Sequence, residues 1–174
     1  EAMLKYIQAF DLYTFNSVFN YSKQPSLTIK PTSIARIVSR SADGWLYLLL
    51  IPMIFIFRPG QIASYFYWAV LGFSLERSIY YVLKNTIKRP RPCQRILGVK
   101  AIILASDEFS LPSGHTSAAF FFCTFLCLAF SLAFLPLYLW ACAVGLSRVV
   151  LGVHYLTDIF IGAAIGFSIA LLIL

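Results

Sequence analysis

Between His115 and Arg148 the chain runs for 32 residues without a charged side chain. As one α-helix this stretch would be roughly 48 Å long, at about 1.5 Å per residue. A bilayer core is about 30 Å thick and takes roughly 17–25 apolar residues as helix. The stretch is too long for one span. It reads as two antiparallel spans joined by a turn that Ser131 and Pro136 bracket. Further apolar segments cover residues 41–57, centred on WLYLLLIPMIFIF, then 61–83 and 155–174. The expected fold is all-α: an integral membrane helical bundle of about five transmembrane helices.

Composition points the same way. Of 174 residues, 60% are hydrophobic types and 12% are charged, against roughly 45–50% and about 25% in a soluble domain. Such a chain has too little polar surface to cover a globule in water, which excludes most soluble enzyme classes, disordered chains and disulfide scaffolds. Cys93, Cys123, Cys127 and Cys142 form no Cys-x-x-Cys pair and read as small apolar filler. The first ten residues, EAMLKYIQAF, lack the apolar core of a cleavable signal peptide. Residues 1–40 differ from the rest: Lys5, Asp11, Asn16, Asn20 and Lys23 interrupt them, while Leu4, Ile7, Phe10, Phe15 and Phe19 make an apolar stripe. They read as an N-terminal interfacial segment, with the transmembrane core in residues 41–174.

The remaining polar residues fall at particular ends of the spans. Lys84, Lys88, Arg89 and Arg91 close the second; Pro112-Ser113-Gly114-His115 opens the third; Ser147-Arg148 ends the fourth; His154 and Asp158 open the fifth. Five spans alternate in direction, so all of these ends share one membrane side. The net charge of +7, from 14 Lys+Arg against 7 Asp+Glu, concentrates there and suggests an anionic partner. Nucleic acid is disfavoured by the scarcity of solvated basic surface.

Three cations brought together, Lys84, Arg91 and Arg148, expect an anion, and guanidinium forks suit phosphate oxygens. Ser113 and Gly114 begin a helix whose free N–H groups add anion donors. His154 and Asp158, spaced i, i+4, share a helix face. A carboxylate on one imidazole nitrogen leaves the other free to attack, and His115 stands beside the cradle as a proton donor. Each feature alone has a plainer explanation: a packed histidine, a topology signal or a helix cap. Their gathering on one side is what argues for a phosphoryl-transfer site. No carboxylate pair is placed for Mg²⁺ and no three-ligand zinc set exists, so no metal or cofactor is expected.

These residues resemble the signature of the type 2 phosphatidic acid phosphatase superfamily of lipid phosphatases. The three parts are Lys84-(six residues)-Arg91-Pro92, then Pro112-Ser113-Gly114-His115, then Ser147-Arg148-(five residues)-His154-(three residues)-Asp158, with all eleven fixed positions matched in order. The resemblance covers residues 41–174. It implies that Lys84, Arg91, Ser113, Gly114 and Arg148 bind phosphate. It implies that His154 attacks phosphorus and becomes phosphohistidine, that Asp158 orients His154, that His115 protonates the leaving group, and that no metal takes part. Membrane members often have six spans, and Leu111 stands where Phe is common. Glu76 and Arg77 lie inside the second span, where charge is costly, and are candidates to support Lys84. Lys88, Arg89, Arg95 and Lys100 are weaker candidates for contact with a headgroup or a second phosphate.

The expected substrate is a lipid phosphate or pyrophosphate of the phosphatidylglycerophosphate, undecaprenyl pyrophosphate or phosphatidate type. A lipid A 1-phosphatase and a non-catalytic phospholipid binder or transporter are the alternatives. Five Lys/Arg in residues 1–40 favour a cytoplasmic active-site side by the positive-inside rule. The resemblance implies the opposite, a bacterial inner-membrane protein whose site faces the periplasm or outside, and that expectation is adopted. Membrane lipids are the only other partners implied, and oligomeric state is not legible.

Overall fold

The computed structural model describes residues 2–24, 30–105 and 107–174, with the backbone alone at Ala2 and Leu4. Every regular element among these residues is helical. In chain order they are α1 (Ala2–Ser22), α2 (Pro31–Ser41), α3 (Leu50–Phe57), α4 (Ile62–Ile87), α5 (Pro92–Arg95), α6 (Gly114–Ala129), α7 (Leu137–Val150) and α8 (Leu156–Ile173).

The axis of the bundle is α6. Its run of Ala, Phe, Cys and Leu is apolar all round, and a helix of that kind belongs inside. Phe121, Phe122, Phe125 and Leu126 are all buried. Around it pack α8, α7 and α4; α2 lies on α7, and α1 lies on α7 and α8. The closest crossing is between α6 and α8, and Gly162 and Gly166 permit it. A Cβ at Gly166 would stand 2.0 Å from the Ser117 carbonyl oxygen, and one at Gly162 2.6 Å from that of Ser113. This is the small-xxx-small packing that membrane helices use to bring backbones together.

The chain turns from α6 into α7 between Ser131 and Pro136, through a 3₁₀ turn at Leu132–Phe134 in which the Ala133 N–H donates to Ser131 Oγ at 3.2 Å. At that end of the bundle Arg58 Nε donates to the Ala129 carbonyl at 2.9 Å, completing a carbonyl that the last turn of α6 leaves unpaired. The segment expected as one span over residues 41–57 is broken. Helix α2 begins earlier, at Pro31, and Gly44 takes φ +103, a conformation that side chains disfavour. A 3₁₀ turn (Trp45–Leu49) then leads into α3, and the two halves meet at 43°. The expected boundary at residue 40 therefore falls inside α2.

Among the described residues, two helical stretches, Leu132–Val150 and Leu156–Ile173, are long and apolar enough to cross a membrane, and the bent pair is a third if its halves count as one span. Helix α6 is apolar but has only 16 residues, and α4 is long but carries Glu76, Arg77 and Lys84. Outward faces are apolar, with Phe55, Ile56, Phe66, Phe160 and Leu172 exposed, as expected of a bundle whose solvent is lipid. Of the N-terminal stripe, Phe15 and Phe19 are buried against Val149, Tyr155 and Ile159, while Ile7 and Phe10 are exposed. The side chain of Leu4 lies outside the described residues.

Gly166→Ala should lower the melting temperature in detergent by several degrees. Overpacking against backbone costs about 1–3 kcal/mol, more than the gain of about 1 kcal/mol in helix propensity. Gly60→Ala, which meets nothing within 4 Å, should leave it unchanged. Equal melting temperatures for the two variants would remove the close α6–α8 approach as a stability determinant.

Candidate active site

The helix ends that carry the polar residues converge. Lys84 sits in the last turn of α4, and Lys88, with φ +49, closes that helix in a left-handed cap. The Pro-spaced run Arg89-Pro90-Arg91-Pro92 then crosses the mouth of the bundle. Arg91 is buried: Nη1 donates to the Val153 carbonyl at 2.7 Å and lies 3.5 Å from His154 Nε2, and Nε donates to the Asp107 carbonyl at 3.2 Å. Ser113 caps α6, its N–H donating to the Asp158 carbonyl at 3.1 Å and its Oγ paired with Thr116 at 2.9 Å. Gly114 follows, where a Cβ would stand 2.7 Å from the Tyr80 ring. Arg148 is buried at the end of α7, bonded through Nη1 to Ser39 Oγ, and its Nε has no partner. An orphaned buried donor expects an acceptor from outside.

Lys84 and Arg91 share a carboxylate. Lys84 Nζ donates to Asp107 Oδ1 at 2.6 Å and to Tyr80 Oη at 2.9 Å, and Arg91 Nη2 and Tyr80 Oη donate to Asp107 as well. Burial opposes the charge of Asp107. The Lys84 and Tyr80 hydrogen bonds and the Lys84 and Arg91 charges nevertheless hold its carboxyl well below the usual carboxylate range. The cradle already holds an anion of the protein's own.

His154 is buried in the loop between α7 and α8, its Nδ1 3.5 Å from Asp158 Oδ2 and outside hydrogen-bond geometry. Burial pushes its imidazole down to about 4, against the upward pull of Asp158. The ring is therefore neutral at ordinary pH, as a nucleophile must be. Asp158, fully buried, accepts the Tyr155 N–H at 2.8 Å on Oδ2 and Arg89 Nη1 at 2.7 Å on Oδ1. Arg89 reaches on to Asp11 of α1. Asp11 also accepts the Thr157 N–H at 3.1 Å and its hydroxyl at 2.6 Å.

His115 Nε2 meets Asp43 Oδ1 at 2.8 Å. Glu76 is buried and paired with Arg77, whose Nη2 donates to the Gly114 carbonyl at 2.9 Å. Neither bonds Lys84 directly. Tyr80 stands between, stacked by both cations with ring-centroid distances of 4.6 Å (Arg77) and 4.5 Å (Lys84).

The PAP2 superfamily model matches residues 62–174. The chain belongs to the PAP2 superfamily. Phosphatidylglycerophosphatase B of Bacillus subtilis is 30% identical over 168 residues, covering 87% of this chain and 75% of that protein. Decaprenylphosphoryl-5-phosphoribose phosphatase of Mycobacterium tuberculosis is 28% identical over 136 residues, covering 75% and 70%. Among solved structures, LpxE of Aquifex aeolicus superposes with a TM-score of 0.75 at 27% identity, covering 94% of this chain and 93% of its own. The transmembrane PAP2-type phosphatidylglycerolphosphate phosphatase of B. subtilis gives 0.72 at 25%, covering 96% and 84%. The chain is a phosphoric monoester hydrolase and an integral membrane protein.

The sequence reading of this PAP2 protein missed several residues that hold the site. Asp11 looked like a flaw in an apolar run, and Arg89 like a headgroup contact; in the fold they brace Asp158 from its outer side. Asp43, Ser39 and Thr157 carried no signal. Asp107, in the loop before α6, lies on the two cations Lys84 and Arg91. The available hint was general: an acidic residue inside an apolar segment must find a partner.

Asp11→Asn should lower kcat about tenfold, about 1.4 kcal/mol of transition-state stabilisation, with KM within twofold. Arg89 would then be shared unequally and Asp158 displaced. A variant that loses thermal stability at full kcat would mark the pair as structural only. The protonation of His154 can be read directly, since the chain has two histidines and His115→Gln assigns their NMR signals. The His154 ring should keep its neutral chemical shift as pH falls to about 5 and titrate near 4; a midpoint near the ordinary histidine value of about 6.5 would contradict the burial argument.

Proposed function

We propose that this PAP2 protein hydrolyses the terminal phosphate of a lipid phosphate or pyrophosphate through a phosphohistidine, without a metal. The observation that carries the reading is the convergence of buried Lys84, Arg91 and Arg148 on the N-terminus of α6 beside a neutral His154, whose Nε2 lies 3.5 Å from an Arg91 nitrogen. Phosphate oxygens take the guanidinium and ammonium donors and the N–H of Gly114 at the start of α6. These fixed donors stabilise the charge that develops in the transition state. His154 Nε2 attacks phosphorus, the bond to the leaving oxygen breaks, and His115 gives that oxygen its proton. Water, giving a proton back to His115, then attacks the phosphohistidine; the P–N bond breaks, releasing inorganic phosphate and restoring the neutral ring of His154. Asp158 steadies the imidazole as it gains positive character, and Asp43 holds the ring of His115.

A cavity of about 420 Å³ opens from Gly114 and His115 between Tyr47 and Phe73, and an apolar groove beyond it runs along α3 and α4. This arrangement supports entry of the lipid from the leaflet, with the phosphate at the cradle and the tail in the groove. The relatives that act on phosphatidylglycerophosphate and decaprenylphosphoryl-5-phosphoribose support the substrate class. The accompanying topology is five spans, formed by the bent α2–α3 pair, α4, α6, α7 and α8, with the site on the periplasmic or outer side of a bacterial inner membrane.

The test is phosphate release from a short-chain lipid phosphate in detergent with excess EDTA. Activity in the parent and a loss of at least 10³-fold in His154→Ala are expected, the scale on which loss of a covalent nucleophile is felt. Equal turnover in the two proteins would refute the mechanism, and binding without turnover in the parent would mark a phospholipid carrier.

A further inference from the structure

A second cavity, of about 650 Å³, opens on the far side of His115. Arg36, Ser39 and Arg40 of α2 form one wall, the loop of residues 102–105 another, and His115, Asp43 and Arg148 its base. Lys84, Arg91 and His154 do not line it. Arg36 and Arg40 are spaced i, i+4, so their guanidinium groups share a helix face. Both are exposed and, among the described residues, neither forms an ion pair. Arg148 contributes the buried Nε that lacks a partner. Against three guanidinium groups there is one carboxylate, Asp43, and it is bonded to His115. Like charges gathered around one cavity repel, and an anionic phosphate group is what such a set of planar donors fits best.

The direction of the cavity says which part of the substrate it receives. In-line attack by His154 drives the leaving group out on the opposite face of phosphorus. That face belongs to His115, which protonates the leaving oxygen, and the cavity lies beyond His115. Resting on the catalytic reading above, we propose that Arg36 and Arg40 bind a second phosphate carried by the leaving group, with Arg148 between it and the transferred phosphate. The preferred substrates are then lipids with two phosphates, either as a diphosphate or as a terminal phosphate beyond a phosphodiester. A lipid with a single phosphate leaves the Arg36/Arg40 wall empty. The adjoining apolar cavity at Tyr47 and Phe73 takes the hydrocarbon chain, so the leaving group is split between a cationic and an apolar branch at His115.

Paired substrates test this. The first pair is a prenyl diphosphate and the corresponding prenyl monophosphate; the second is phosphatidylglycerophosphate and phosphatidate of equal chain length. In Arg36→Ala/Arg40→Ala, the ratio of kcat/KM within at least one pair should fall tenfold or more against the member with two phosphates. A fall confined to the first pair identifies a diphosphate, and one confined to the second identifies a phosphodiester. Unchanged ratios in both pairs, whether through equal losses or none, would overturn the proposal and leave the arginines as contacts to anionic headgroups. If the double variant does not fold, Arg40→Gln gives the same comparison. Failure of the parent to hydrolyse any of the four lipids would overturn the catalytic reading, and this inference with it.

Discussion

One backbone contact holds the two halves of the site together. The Ser113 N–H, at the start of α6, donates to the Asp158 carbonyl in the first turn of α8. That bond is reached only because Gly162 and Gly166 let the helices approach to backbone contact along the same seam. The N-terminus of α6 and the loop that carries His154 are thereby set at a fixed separation. A phosphoryl-transfer site is sensitive to misplacement of about 1 Å, so a seam built from glycine and backbone serves better than one built from flexible side chains.

Around that seam the structure buries many charges for so apolar a chain: Asp11, Glu76, Lys84, Arg91, Arg148 and Asp158 are all nearly inaccessible. A buried charge is tolerable when it is paired and hydrogen-bonded. Here each acid reaches a cation from a different helix or loop, Glu76 with its neighbour Arg77 excepted. Asp11 on α1, Arg89 after α4 and Asp158 on α8 form one such chain, and Tyr80, Lys84, Arg91 and Asp107 form another. These networks cross-link elements whose apolar surfaces alone specify little about register. In lipid, where the outward faces gain nothing from further burial, polar pairing and close packing carry more of the specificity than hydrophobic burial does.

The convergence of Lys84, Arg91, Ser113, Gly114, His115, Arg148, His154 and Asp158 was legible in the sequence because apolar length fixes how often the chain reverses. The reversals put those residues at one end. Their partners were not legible. Asp43, Asp107 and Asp11 lie 72, 23 and 78 positions from His115, Lys84 and Arg89, and nothing local in their sequence signals a contact. The bend between α2 and α3 was hidden for a different reason. Apolarity runs through the break, and only Gly44, with its positive φ, marks the change of direction. The N-terminal segment reads as amphipathic, yet the stripe divides, with Phe15 and Phe19 turned to the bundle and Phe10 outward, because Asp11 is drawn to Arg89.

Asp107 gives the site a history within each turnover. With its carboxylate on Lys84 and Arg91, Asp107 neutralises part of the charge that these two cations bring to the mouth of the bundle. On the proposed mechanism an incoming phosphate would exchange one anion for another, so its affinity would be the difference between two strong interactions. The same exchange runs backwards after hydrolysis. Inorganic phosphate would then leave a cradle whose own carboxylate is tethered nearby and ready to reclaim it. On that reading, a site assembled from so many cations would avoid becoming a trap for its own product.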